Sequence, residues 1–222
     1  MTVPPTPAPL AGFRIVDMST VLMGPVATQV LGDYGADVIK VEPPEGDVMR
    51  HAGMARTPRM GAMYLANGRN KRSIVLDIKQ PAAKEALFAL CRSADVFIHN
   101  VRPAAMQRAG LGYEDLRAIN PSIVYVALVG YSEHGPYANQ PAFDDIIQAG
   151  AGVSGLFVRA GLDEPVFVPM TVADRVTGLT AAHATLAALL MRERTGIGQA
   201  IEVPMFETLA VSYTHLTLPT KA

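Results

Sequence analysis

The chain has 222 residues, of which 50% are hydrophobic and 18% charged, a composition that excludes general disorder and allows one large domain with a sizeable core. Its formal net charge is −1, so no global field favours nucleic acid or an anionic membrane, and an anionic ligand needs a local cluster of cations. A single cysteine excludes an internal disulfide, and without a signal peptide or an apolar membrane span we expect a cytoplasmic protein.

Short apolar runs alternate with helical stretches along much of the chain. The run from Ile123 to Val129 is continuously apolar and rich in β-branched residues, which is typical of a strand buried on both faces of a parallel sheet. This alternation, with short connections, predicts a doubly wound, mostly parallel α/β domain. Strands are predicted at 13–18, 37–41, 73–78, 96–99 and 123–129, and helices at 24–34, 81–93, 143–150 and 172–194.

Two segments show little periodicity. Residues 42–63 are rich in proline and glycine, which indicates a long surface loop or a loop that wraps around a partner. The glycines between Gly150 and Gly155 either admit close approach of a ligand or another chain, or simply end a helix and form a loop. The sequence leaves both alternatives open.

Asp174 lies in the opening turn of the helix predicted at 172–194. Unpaired backbone N–H groups and the helix dipole favour an ionised carboxylate at this position. Asp174 is therefore a candidate nucleophile. Aspartate is also a preferred N-cap residue, so a purely capping role is the alternative.

Several cations follow the predicted strands. Lys40 ends the second strand, and Asn100 and Arg102 directly follow the fourth, with Arg108 close behind. Ligands of open α/β sheets bind beyond the carboxyl ends of the strands, and Arg and Lys donate charge-assisted hydrogen bonds to phosphate. The pattern indicates a small ligand that carries several phosphates, although single cations are more often solvated surface charges.

Two further cations, Lys71 and Arg72, stand at the start of the predicted third strand. A strand start lies at the opposite edge of a parallel sheet from the expected ligand. These side chains can therefore reach the ligand only if the preceding loop doubles back.

Common cofactor and metal signatures are absent from the sequence. The first strand-to-helix turn, 17–25, lacks the G-x-G-x-x-G that brings a backbone close to a pyrophosphate, which counts against NAD and FAD. The five histidines show no metal-ligand spacing, so we expect no metal site. Motifs for a nucleophilic serine or cysteine are missing as well.

A set of short blocks follows a fixed order between residues 10 and 210. These blocks are LAGFRIVD at 10–17, LGDYGADVIKVEP at 31–43, NKRS at 70–73, NVRP at 100–103, RAGL at 108–111 and TGIGQ at 195–199. Together they resemble the class III CoA-transferase family of the CaiB/BaiF type, which includes formyl-CoA transferases and α-methylacyl-CoA racemases.

The resemblance implies a Rossmann-like large domain, residues 10–211, with coenzyme A or acyl-CoA as a substrate and no tightly bound cofactor. It implies a carboxylic acid as the second substrate and, in the full-length protein, an interlocked homodimer. The residues that the resemblance places at the CoA site are Val21, Lys40, Lys71, Arg72, Asn100, Val101, Arg102 and Arg108.

The resemblance also gives Asp174 a role, because 173–178 matches the A/G-D-x-x-T-G block in which the transferases carry their nucleophile. It implies that Asp174 attacks the acyl-CoA thioester to give a mixed anhydride. CoA thiolate then returns to form an aspartyl-CoA thioester, and an acceptor carboxylate takes over the CoA through a second anhydride.

Two positions depart from subgroups of the family. The racemases carry a proton-transferring histidine where this chain has Phe143, which favours a transferase and leaves a racemase or epimerase as the alternative. Formyl-CoA transferases carry a glutamine where this chain has Leu22, which counts against an oxalate-type substrate.

The two ends of the chain carry separate expectations. Residues 1–9 are expected to be a flexible N-terminus. Residues 212–222 do not fit the family and resemble translated linker DNA, so we expect a non-native tail and a truncated family member. A third alternative is therefore a CoA-binding fragment without turnover.

Overall fold

A computed structural model of the chain describes residues 7–138 and 140–217. In that part of the chain, the strands of one sheet are β1 (Arg14–Met18), β2 (Asp37–Glu42), β3 (Lys71–Val75), β4 (Val96–His99), β5 (Val124–Val129) and β6 (Gln199–Pro204). Their spatial order is β3-β2-β1-β4-β5-β6, and every pairing is parallel. This is the order of a doubly wound sheet: successive strands are added outward from β1 to one side as far as β3, and then to the other side from β4 to β6. The predicted fold class is confirmed.

Helices cover both faces of the sheet and separate two apolar cores. One core joins Ile15 and Val38 of the sheet to α1, α6, α8 and α9, and the other joins Val16 and Phe97 to α3, α4 and α5 and contains the buried Cys91. The helices are α1 (Met23–Asp33), α2 (Ala62–Asn67), α3 (Pro81–Arg92), α4 (Pro103–Ala109), α5 (Tyr113–Ile119), α6 (Asp144–Gly150), α7 (Val153–Arg159), α8 (Val172–Thr195) and α9 (Met205–Thr217).

The packing of α8 against α1 fixes the position of Asp174. Small residues on α8 let the two backbones approach closely: a Cβ added to Gly178 would lie 2.6 Å from the carbonyl oxygen of Met23. Ala181 and Ala182, one turn further along, are fully buried. Any larger side chain at Gly178 would push the first turns of the two helices apart.

The structure corrects two strand predictions. β3 begins at Lys71 rather than at residue 73, so Lys71 and Arg72 belong to the strand itself. β6 was missed because its polar residues interrupt the apolar run, as an edge strand with one accessible face allows. Pro204 is tolerated there because it ends an edge strand.

The irregular segments contain more structure than the sequence predicts. A short 3-10 helix at Val48–His51 interrupts the predicted long loop. The glycine-rich stretch joins α6 to α7, with Gly152 at a φ of +85° directly before α7. A left-handed residue between two helices favours glycine, which agrees with the helix-ending alternative.

The domain boundaries stay predictions. α9 continues across the expected boundary after residue 211, and residues 1–6 and 218–222 lie outside the described residues. Within 7–138 and 140–217, no helix combines the length and the apolar character needed to cross a membrane.

Candidate active site

Asp174 is the third residue of α8 and lies where the first turns of α8 and α1 meet. Only 9% of the residue is exposed, and its carboxylate accepts a hydrogen bond from the backbone of Met23, the first residue of α1. The N-cap position of α8 belongs to Thr171, whose side chain forms no capping hydrogen bond. The capping interpretation of Asp174 is therefore wrong, because the carboxylate contacts a neighbouring helix instead of its own.

The surroundings of Asp174 make its carboxyl group a weaker acid than usual. Burial raises its pKa, the negative charge of Asp144 raises it further, and the Met23 backbone and Arg175 oppose them, so the pKa rises from 3.8 to about 6. The group is therefore mostly ionised above neutral pH, and it is more basic than an ordinary aspartate. A carboxylate with raised pKa in a largely buried position is typical of functional sites.

A cavity of about 340 Å³ opens at the carboxyl ends of β4 and β5. Its walls include Met23 and Phe143, which belong to the two segments that surround Asp174, although Asp174 itself does not line it. The predicted CoA-site residues that do line it are Asn100, Val101, Arg102 and Arg108. Its size and its position beside the strand order reversal are those of a small-molecule site.

Arg102 and Arg108 are both exposed. Among the described residues neither of them forms an ion pair. Their guanidinium groups are therefore free to donate bidentate hydrogen bonds to a phosphate.

Lys40 and Lys71, in contrast, are buried in ion pairs. The Nζ of Lys40 lies 2.9 Å from an Asp47 oxygen and donates to the carbonyl of Ser19 at 2.8 Å. The Nζ of Lys71 lies 3.3 Å from Asp17 and donates to the carbonyl of Pro25 at 2.8 Å. Their charges are paired inside the protein, and the prediction that these two side chains meet the phosphates stays a prediction.

The ion pairs shift the pKa values of the groups that form them. Burial lowers the pKa of Lys71, and the charge of Asp17 partly offsets that effect. Burial opposes ionisation of Asp17, but Lys71, Lys40 and two hydroxyl donors outweigh it and lower the pKa of Asp17 to about 2. Asp17 is therefore ionised at neutral pH.

The buried cations hold the turn between β1 and α1. Lys40 binds the Ser19 carbonyl within this turn, and Asn100 binds both the N–H and the carbonyl of Thr20, at 2.9 and 2.8 Å. Val21 is consequently held at a φ of +65°, a conformation that a β-branched residue rarely adopts. The turn leads directly into Met23, so the same contacts position the N–H that faces Asp174.

Arg72 does not reach the cavity. It pairs with Asp37, the first residue of β2, at 2.6 Å, and 68% of its side chain is exposed. The Nζ of Lys71 lies beside the turn before α1, and the segment before β3 borders the same space, because Asn67 lines a small pocket together with Val21 and Lys71. The assignment of Arg72 to the ligand site stays a prediction, and in this structure its charge is paired with Asp37.

Sequence reasoning missed Met23, Asp17 and Asp47 as parts of the site. Met23 acts through its backbone, which leaves no trace in the residue type, although Gly24-Pro25 marked a helix start beside it. The described residues include no group of three or more His, Cys, Asp or Glu side chains that could hold a metal ion.

A model of CoA-transferase family III matches residues 10–219. The chain belongs to this family. The match includes residues 212–219, which the block pattern assigned to a foreign tail, so the tail remains a prediction.

The chain spans about half the length of the curated relatives that it matches. A protein of Mycobacterium tuberculosis named "Probable fatty acyl-CoA transferase" is 38% identical over 90% of this chain and 51% of its own length. A formyl-CoA:oxalate CoA-transferase of Streptomyces avermitilis is 39% identical over 88% and 47%. Among solved structures, a CaiB/BaiF family protein of Brucella suis has a TM-score of 0.89 at 36% identity, over 96% of this chain and 57% of that one.

Proposed function

We propose that the protein is an acyl-CoA:carboxylate CoA-transferase in which Asp174 carries the acyl group and then CoA. The observation that carries this proposal is the position of the Asp174 carboxylate, largely buried, raised in pKa and directed at the first N–H of α1. Membership of CoA-transferase family III supports the reaction class. The full catalytic cycle is part of the proposal because the chain spans about half of its relatives.

The cavity supplies the binding half of this proposal. Arg102 and Arg108 receive phosphates of CoA or acyl-CoA, and Asn100 fixes the turn that borders the same space. Met23 and Phe143 form the part of the wall nearest Asp174, so the thioester end of the ligand lies there. Binding the distant phosphates positions the thioester for attack by the carboxylate.

The first half of the reaction makes and breaks bonds at the acyl carbon. The Asp174 carboxylate attacks the thioester carbonyl, the C–S bond breaks, and CoA leaves as a thiolate to give a mixed anhydride. The thiolate then attacks the aspartyl carbonyl, the anhydride C–O bond breaks, and the donor acid leaves as a carboxylate. A carboxylate is a weak nucleophile, and its raised pKa makes it a stronger one.

The second half repeats these steps with the acceptor acid. The acceptor carboxylate attacks the aspartyl-CoA thioester and releases CoA thiolate, which then takes the acceptor acyl group and restores the Asp174 carboxylate. Negative charge develops on a carbonyl oxygen in every step. Backbone N–H groups in the first turn of α1, where Met23 lies, are the donors that stabilise it.

The racemase alternative lacks its second acid/base group in this site. Phe143, which stands at the position of the histidine, cannot transfer a proton, and it is 65% exposed. The neighbouring Asp144 already accepts hydrogen bonds from Gln148 and from the backbone N–H of Asp174. The geometry therefore favours the transferase.

The acyl donor is not chosen by similarity. The relative named for fatty acyl-CoA is 38% identical to this chain, and the one named for formyl-CoA and oxalate is 39% identical, so sequence identity does not distinguish these acyl groups. At the position where formyl-CoA transferases carry a polar glutamine, this chain has the apolar Leu22, which is buried next to Met23. We therefore propose an acyl group other than formyl or oxalyl.

The test is CoA exchange between acyl-CoA thioesters and free acids, measured on protein expressed from its complete genomic reading frame. Asp174→Asn removes the nucleophile and keeps a similar shape, so exchange should fall on the order of a thousandfold or more while CoA affinity is retained. Asp163→Asn, an exposed carboxylate, is the matched control and should exchange normally. Deuterium uptake at the α-carbon without CoA exchange would overturn the proposal in favour of a racemase.

A further inference from the structure

Asp144 connects three segments that meet at the nucleophile. It is the first residue of α6, and its Oδ2 accepts the backbone N–H of Asp174 at 2.8 Å. Its Oδ1 accepts from the Nε2 of Gln148 at 2.6 Å. The same residue therefore holds the first turn of α8 and a side chain of its own helix.

Gln148 extends the connection to the segment that leads into α8. This buried side chain accepts from the N–H of Val168 at 2.8 Å and donates to the carbonyl of Met170 at 3.2 Å. Asp144 therefore binds the first turn of α8, and Gln148 binds the segment that precedes it. The N–H of Val168 and the carbonyl of Met170 lie in an irregular segment without regular backbone pairing, and Gln148 supplies their hydrogen-bond partners.

We propose that Asp144 is a positioning residue of this active site, which anchors the first turn of α8 and places a negative charge beside the carboxylate of Asp174. This inference rests on the proposed function only for its effect on rate. The two carboxylates are drawn together because one binds the backbone N–H of the residue that carries the other.

The arrangement has an electrostatic consequence. The charge of Asp144 disfavours a second negative charge next to it, and it is, after burial, the next cause of the raised pKa of Asp174. The ionisable groups on the helices packed around Asp174 include Asp144 and Asp145 on α6, Asp33 at the far end of α1, Glu207 on α9 and, on α8 itself, Arg175 and the more distant His183, Arg192, Glu193 and Arg194.

Of these groups, only Asp144 and Arg175 act on the pKa of Asp174. Asp33 is paired with Arg69, and Glu207 accepts the N–H of Ser132. Asp144 is thus the one group of this set whose charge raises the pKa. Its removal should make the nucleophile more acidic and less basic.

The experiment measures the pKa of the Asp174 carboxyl group by ¹³C NMR titration, with the resonance assigned by its loss in Asp174→Asn. In Asp144→Asn the pKa should fall by roughly one unit. Asp145→Asn is the matched control: it removes the adjacent carboxylate, which is exposed and accepts the N–H of Ile146 in its own helix, and it should leave the pKa unchanged. Asp144→Glu keeps the charge and should keep the pKa raised.

The outcomes separate a charge effect from simple anchoring. An unchanged pKa in Asp144→Asn, or an equal fall in Asp145→Asn, would overturn the inference. If Asp144→Asn does not fold, Asp144→Ser, which keeps a hydrogen-bond acceptor without the charge, replaces it: a lower pKa of Asp174 supports the charge effect, and an unchanged one overturns it.

A second readout uses turnover. In Asp144→Asn the acid limb of the rate profile for CoA exchange should move to lower pH by the shift measured by NMR, and the plateau rate should fall several-fold, since a less basic carboxylate attacks more slowly. The NMR result does not depend on turnover. An unresponsive pKa therefore removes this inference alone, whereas normal exchange in Asp174→Asn removes the proposed function.

Discussion

Two groups of cations lie in or after the strands of this sheet, and they are used in opposite ways. Lys40 and Lys71, near β1 and β2, are buried in ion pairs and bind backbone carbonyls of the turn before α1. Arg102 and Arg108, after β4, line the open cavity and are exposed. A cationic side chain therefore stabilises the fold in one place and is available to a ligand in the other.

The difference follows from the presence or absence of acidic partners. Buried Asp17 and Asp47 neutralise the two lysines, because an unpaired charge in the interior would cost several kcal/mol. No comparable acid pairs with the arginines among the residues that the structure describes. A cation without an internal partner, beside a cavity, is the one that can neutralise a bound phosphate.

The largest expected effect comes from breaking a buried pair. Lys71→Met leaves Asp17 charged and fully buried, so the free energy of unfolding should fall by about 3 to 5 kcal/mol. Lys79→Met, at an exposed lysine, is the control and should change it by less than about 0.5 kcal/mol. Urea denaturation followed by circular dichroism measures both.

A double variant sharpens this prediction. Asp17→Asn with Lys71→Met removes both charges, so its loss should be smaller than the sum of the two single losses. Strict additivity would show that the two side chains are not energetically paired.

The next effect concerns the exposed arginines. Arg102→Gln with Arg108→Gln should leave stability unchanged and weaken CoA binding roughly a hundredfold, at about 1.5 kcal/mol for each charge-assisted hydrogen bond lost. Titration calorimetry at low and high salt measures it, and the loss should shrink as salt screens the contacts. Arg72→Gln, at an exposed arginine paired with Asp37, is the control and should bind CoA normally. An equal loss of CoA affinity in Arg72→Gln and in the double variant would show that the cavity arginines are no more important for binding than an exposed, paired arginine.

The smallest of these effects belongs to Asp174, a buried carboxylate that forms no ion pair within the described part of the chain. Folding raises its pKa from 3.8 to about 6, so the folded protein holds the proton more tightly than the unfolded chain. The resulting cost in stability is absent below pH 4, grows between pH 4 and 6, and is complete above pH 6. Asp174→Asn should therefore be more stable than the original chain by roughly 2 kcal/mol at pH 8.

The measurement is the free energy of unfolding of both proteins across this pH range. Their difference should disappear at pH 4. A constant difference, or a less stable Asp174→Asn at pH 8, would show that the carboxylate is not strained by burial.

The sheet was predictable because its strands are buried runs of β-branched and apolar residues with a period that local sequence carries. The continuous apolar character of 123–129 and 96–99 is an example, and both strands lie within one residue of the prediction. β6 was not predicted because its place in the sheet depends on pairing with β5, which is distant in the sequence, and not on its own composition. The start of β3 was mispredicted for a related reason. Lys71 can lie in the sheet because its ammonium group is paired with distant Asp17.

The site could be predicted only in part. The position of Asp174 in the first turn of a helix follows from local signals, and so does the place of Arg102 after β4. The buried pairs join residues far apart in the sequence, such as Asp17 and Lys71, and no local pattern reveals them. The contribution of Met23 comes from its backbone, and only the packing of α1 on α8 shows it.

The most direct test of the central claim is to locate the covalent intermediate. Protein expressed from its complete reading frame is incubated with acetyl-CoA, succinyl-CoA and a medium-chain acyl-CoA in turn, treated with hydroxylamine, digested and examined by mass spectrometry. We expect a hydroxamate on the peptide that contains Asp174, formed with at least one thioester and absent without CoA thioester. A hydroxamate on another residue, or CoA exchange that proceeds while Asp174 stays unmodified, would contradict it.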